Sequence, residues 1–237
     1  MTEGSLSNAG VLALLAIIPL VALMLTSFVK VSVVLSLLRN AIGATDAPSG
    51  LVVMGLSLIL TFFVMAPIAV EMVHAGASAP AQTSPGTTAP GAPAPTTRGD
   101  DMMQVVRALV PADKQHEVDA VERSLGPLKG FLAKNAAPRD VKTFVDLGAK
   151  LGKTRAPDEM SVLAPAFVTT ELREAFAIAV LIFLPFLVID LLVGLGMSSL
   201  GLSTMSPQVV ALPLKLLLFV AVDGWRLLLE SVLRGYA

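Results

Sequence analysis

Leu51-Val52-Val53-Met54-Gly55-Leu56-Ser57-Leu58-Ile59-Leu60-Thr61-Phe62-Phe63-Val64-Met65-Ala66-Pro67-Ile68-Ala69-Val70 is an uncharged run of the length a helix needs to cross about 30 Å of hydrocarbon. A second such run precedes it. Gly4 to Val29 carries no charge, Lys30 and Arg39 follow, and Ala47 to Val70 is again uncharged. Two adjacent runs of this kind place the chain in a membrane or a membrane complex. The expected fold class is all-α: membrane-associated helical hairpins with a small helical soluble region.

Composition agrees. Of 237 residues 54% are hydrophobic and 15% charged, whereas soluble domains carry about 25% charged residues. The net charge of −1 gives no nucleic-acid footprint. Absence of cysteine removes disulfides, thiolate metal sites and cysteine catalysis. His74 and His116 lie far apart in sequence, so no histidine-rich metal site is expected, and no cofactor. None of the common nucleophile, phosphate-loop or zinc-protease motifs is present, so the chain is not expected to be an enzyme. Its first residues include an acid and no Lys or Arg, and the apolar run ends in Leu25-Thr26-Ser27-Phe28, so it is read as a retained segment rather than a cleaved signal.

The remaining organisation follows from composition. Residues 1–74 form an N-terminal apolar hairpin. Its first segment runs roughly Ala9–Phe28, and the apolar pattern carries a helix past Lys30 toward Arg39. Residues 75–99 are rich in Pro, Ala and Gly and form a flexible linker. Residues 100–170 form a soluble helical region, with one helix over Asp100–Leu109 and helical spacing through Val118, Val121, Leu125, Leu128, Phe131 and Leu132, interrupted at Gly126-Pro127. Residues 171–237 form a second apolar hairpin. Here Asp190 interrupts one segment, glycines and serines from Gly194 to Ser206 mark a bend, and Val209–Val222 carries Pro213 and Lys215 before Asp223. That last segment is too short and too charged for lipid and is expected to be buried against protein.

Three sets of residues are candidates for function. Asp190, Lys215 and Asp223 are charges in apolar helices; they form a buried network for helix and subunit packing or an ion-coupling site, or one or more of them simply reaches water. Met197 and Met205 lie in the bend and serve core packing or a sealing constriction. Glu171 and Glu174 suit the first turn of a helix beginning near Thr170. From charge, Lys30 and Arg39 put the first short loop in the cytoplasm and the large middle region outside, although Arg226 and Arg234 argue the other way.

Several blocks resemble the FliP/SctR family of type III secretion export-gate proteins. They include Leu25-Thr26-Ser27-Phe28-Val29-Lys30-Val31, Leu35-Ser36-Leu37-Leu38-Arg39-Asn40-Ala41-Ile42-Gly43 and Leu58-Ile59-Leu60-Thr61-Phe62-Phe63-Val64-Met65-Ala66-Pro67. Leu163 to Phe176, Phe183 to Leu191, Ser206-Pro207, Leu212 to Val220 and Asp223-Gly224-Trp225 continue the match. The resemblance covers about half the chain, in family order. It implies a core subunit of the export apparatus of a flagellum or an injectisome, in the bacterial inner membrane with the soluble region on the periplasmic side. It implies a homo-oligomer of five copies in a helical cone, with FliQ/SctS-like and FliR/SctT-like subunits and a FlhB/SctU-like switch protein. Unfolded secreted proteins would be the cargo.

The same resemblance places a pore constriction at Met197, Gly201, Leu202, Ser203, Thr204 and Met205. The family often has consecutive methionines after the glycine matching Gly201; Leu202, Ser203 and Thr204 stand there in this chain. The first loop, Ala47-Pro48-Ser49-Gly50, replaces a Pro-Pro-Asn-like turn. Lys30 and the retained first segment incline the reading to the injectisome branch. A proton-coupled solute carrier is the rival, with Asp190 and Lys215 as its coupling pair, but the two apolar halves show no internal repeat. A scaffold acting through its soluble helices is a third reading.

Overall fold

The computed structural model describes residues 19–43, 49–77, 115–202 and 204–236. Among them every regular element is a helix. Most of the first apolar segment, the turn at 44–48, the proline-rich linker from 78, the helix expected over Asp100–Leu109 and Ser203 lie outside the described residues. The helices are α1 (Phe28–Ile42), α2 (Gly50–Ala77), α3 (Gln115–Asn135), α4 (Pro138–Lys150), α5 (Met160–Ser199), α6 (Gln208–Ala221) and α7 (Gly224–Leu233), followed by a 3₁₀ turn at Arg234–Tyr236. Residues 1–65 and 168–237 make one compact unit, and residues 66–167 a second. Among the described residues two helices, α2 and α5, are long and apolar enough to cross a membrane.

In the first unit α1 supplies the centre of the core. Val31, Val34, Leu35, Leu38, Ala41 and Ile42 recur at three- and four-residue spacing, which puts them on one face. Against that face pack Val53 of α2, Ala175 and Phe186 of α5, Phe219 of α6, and Leu228 and Val232 of α7. Phe219 joins two ring contacts, with centroids 6.4 Å from Phe186 and 5.4 Å from Trp225, the latter edge-on. A Cβ at Gly224 would run into the Phe219 ring, so the tight α6–α7 corner admits only glycine there. The hydroxyls of Ser57 and Thr61, buried in α2, donate to the carbonyls of Val53 and Ser57 at 2.7 and 2.6 Å, which satisfies them inside an apolar helix.

The second unit buries Leu128, Phe131, Leu132 and Ala136 of α3 and Val162, Leu163, Ala166 and Phe167 of α5. Phe131 and Phe167 meet with centroids 5.5 Å apart. Pro138 opens α4 from an extended Ala137, where its missing N–H costs nothing.

Four local expectations are corrected. The first apolar helix does not run on into α1: residues 19–24 are helical, the chain breaks at Leu25-Thr26-Ser27, and α1 restarts at Phe28. Thr26 stabilises the break by donating to the Leu23 carbonyl at 2.7 Å and accepting from the Phe28 amide at 3.3 Å. Gly126-Pro127 does not interrupt α3, which runs through it. Pro67 likewise sits well inside α2, ten residues before its end. A proline removes one helix bond and clashes with one carbonyl, a cost α3 bears beside the buried Leu128. Finally, α5 starts at Met160, not near Thr170, so Glu171 and Glu174 lie in its interior rather than its first turn.

Candidate functional site: the hairpin turn and its buried charges

The turn between α5 and α6 is built by a helix stop. The Leu202 amide donates to the Met197 carbonyl at 3.0 Å and the Gly201 amide to that of Ser198 at 3.2 Å, the paired bonds of a glycine-ended helix. Gly201 has φ +70, which a side chain would strain. Met197 is buried, whereas Gly201, Leu202, Thr204 and Met205 are exposed at the tip. The new helix starts with the Ala211 amide bonded to the Pro207 carbonyl at 2.9 Å.

Above this turn the structure brings Asp190 and Lys215 together. The ammonium donates to Asp190 Oδ2 at 2.7 Å and to the Ala41 carbonyl at 3.0 Å. Lys215 is 5% exposed. Ala41 lies in the last turn of α1, whose carbonyls have no partner within the helix and carry the negative end of its dipole. Lys215 therefore neutralises a carboxylate and caps a helix with one group. Gly43 closes α1 in the left-handed region (φ 80), and its α-carbon leaves room for that ammonium. Asp223 does not join this pair. It is exposed at the α6–α7 corner, itself left-handed (φ 51), with no side-chain cap on α7.

A second charge cluster escaped sequence reasoning. Lys30 and Glu171 are each 1% exposed. The Lys30 ammonium lies 3.2 Å from Glu171 and 2.8 Å from Glu174, which sit one turn apart on α5. Tyr236 donates its hydroxyl to Glu171 and lays its ring 4.2 Å from the same ammonium. Burial, reinforced by the Glu171 carboxylate, holds the Tyr236 phenol above its ordinary range, so it remains a donor. Lys30 is thus a buried core residue of the first unit, not the loop cation from which the membrane orientation was argued. The signal was present: Lys30 is the lone charge in the apolar pattern from Gly4 to Leu38.

Glu230, by contrast, is paired on the surface. It accepts from Arg226 at 2.9 Å and Arg234 at 3.4 Å along α7, an exposed ladder of small energetic weight.

The chain was compared with known proteins. The model of the FliP family matches residues 11–232. A flagellar biosynthetic protein FliP of Pectobacterium carotovorum is 36% identical over 98% of this chain and 79% of its own length. A pathogenicity-related ORF2 product of Xanthomonas campestris pv. glycines is 37% identical over 95% of this chain and 94% of its own. The hypersensitivity response secretion protein HrcR of Ralstonia nicotianae is 35% identical over 94% and 93%. Agreement with one family along nearly the whole length, through both apolar hairpins and the turn between α5 and α6, means that this chain belongs to the FliP family.

Proposed function

We propose that this chain builds the closed channel of a type III protein export gate and that the turn after α5 is its constriction. Family membership makes the chain a core subunit of the type III export apparatus, flagellar or injectisome. In the finer reading five copies assemble with FliQ/SctS-like and FliR/SctT-like subunits, a FlhB/SctU-like switch protein docks on them, and unfolded substrates pass through the centre. The complex sits in the bacterial inner membrane with the soluble helices on the periplasmic side. The role is non-enzymatic, with energy supplied elsewhere in the apparatus.

One observation carries this reading. Leu181, Leu192 and Leu195 of α5 and Val209, Leu217 and Val220 of α6 are 60% exposed or more, although they are strongly apolar. Lipid is a poor cover for those of α6. With 14 residues α6 spans about 21 Å against about 30 Å of hydrocarbon, and it seats Lys215. Further copies and partner subunits of matching helical shape would cover these faces and leave the Gly201 turn at a common centre. Lys215, already engaged by Asp190 and the Ala41 carbonyl, favours a packing role over a coupling one.

Native mass spectrometry of the detergent-purified chain, expressed with the membrane proteins encoded beside it, tests the assembly. Five copies bound to smaller membrane subunits are expected; a stable monomer or dimer without partners would refute the gate. The constriction has its own test. Leu202→Gly or Met205→Gly should raise ion leakage across the inner membrane about tenfold, because a tip side chain that excludes water is lost. Leakage equal to that of the parent would remove both residues from the seal.

A further inference from the structure

Lys30 lies just beyond a break in the helical path and beneath a short turn from the far end of the chain. At the break the Thr26 amide bonds the Leu23 carbonyl in a tighter turn, at 3.2 Å, and the Thr26 hydroxyl adds contacts to the backbone on either side. Ser27 is fully buried, and its hydroxyl has no hydrogen-bond partner among the described residues. A buried, unsatisfied hydroxyl costs free energy that well-packed regular helix would not, so the break draws on its surroundings as well as on its own bonds. The nearest holdfast is one turn on, where Lys30 is fixed to Glu171 and Glu174 of α5.

The 3₁₀ turn Arg234–Tyr236 closes over that holdfast. The Tyr236 hydroxyl satisfies Glu171 and its ring covers the Lys30 ammonium. Gly235 fits because it has no side chain: a Cβ there would stand 2.9 Å from the Lys30 nitrogen and 3.7 Å from Glu174 Oε2. The Tyr236 hydroxyl and ring thus both engage the cluster itself. With the turn in place Lys30 and Glu171 face each other without water. With it lifted, both ions regain hydration and their attraction falls severalfold as the local dielectric rises.

We propose that the Arg234–Tyr236 turn is a releasable strap: seated, it locks the Lys30–Glu171 pair and fixes the Leu25–Ser27 break; lifted, it frees that break as a hinge for residues 19–24. The inference stands apart from the channel reading, since it concerns only groups within the first unit.

Hydrogen exchange of the full chain in its purified membrane complex tests it, followed by mass spectrometry of peptides spanning residues 23–31. Tyr236→Phe keeps the ring and removes the donor, and Gly235→Ala pushes the turn off the ammonium. Each should speed exchange at residues 25–31 about tenfold, the loss of one hydrogen bond to a charged group, while α6 at 208–221 exchanges as before. Arg234→Ala, in the same turn but directed to solvent, should leave residues 25–31 unchanged. Unaltered exchange in both strap variants would overturn the proposal, and so would an equal rise across 208–221, which would mark general loosening. Tyr236→Phe changes one oxygen only, so the test survives even if Gly235→Ala does not fold.

Discussion

Replacing Lys30 by methionine should lower the stability of the folded chain by about 3–5 kcal/mol, because it strands a buried carboxylate. Glu171 is as inaccessible as its partner, while the side chain of Glu174 is 47% exposed and can turn to water. The loss therefore falls on Glu171, which keeps only the Tyr236 hydroxyl. A double replacement, Lys30→Met with Glu171→Leu, should recover most of the deficit, since it is the lone buried charge that costs, not the missing pair. Denaturant midpoints of the purified complex measure both. A single variant as stable as the parent, or a double variant worse than the single, would refute the account.

The second large effect is expected at Asp190. Asp190→Ala leaves the Lys215 ammonium with the Ala41 carbonyl alone, inside the core of the first unit. The cost should be about 2 kcal/mol, below that at Lys30, because the Asp190 side chain is 41% exposed and water already weakens its attraction. The defect should appear as a reduced yield of assembled complex, in rough proportion to the loss of folded subunit, with little change in leakage through what does assemble. Asp190→Asn, which retains an acceptor, should fall between the two. Normal complex yield with secretion abolished would mean that the carboxylate acts in transport rather than in packing.

The two sites differ in how far they could be read from sequence. Asp190 and Lys215 declare themselves as charges in apolar surroundings, but only a hairpin with its turn near Gly201 brings them within 2.7 Å. Their third partner, the Ala41 carbonyl, is backbone and leaves no mark in composition. Lys30 and Glu171 were visible as charges too, yet each had a ready local explanation, one as a loop cation and the other as a helix-start acid. Those explanations failed because α5 begins eleven residues before Glu171 and α1 begins two before Lys30. Charge-free apolar runs marked the segments that form α2, α5 and α6. They could not locate the break at Leu25–Ser27, where Leu25 and Ser27 are buried and the Thr26 hydroxyl bonds the backbone on either side. Prolines misled in the opposite sense at Pro127, since packing decides whether a helix tolerates one.

Synthesis gives the Lys30 cluster a timing consequence. Glu171 emerges about 140 residues after Lys30, a wait of roughly 7–30 s at ordinary elongation rates. Tyr236 arrives last, 65 residues beyond Glu171. Throughout that interval the nascent α1 lacks the carboxylates that pair with Lys30 in the folded chain. The Lys30 site of α1 is thus completed by residues made long after it, Glu171 and then Tyr236.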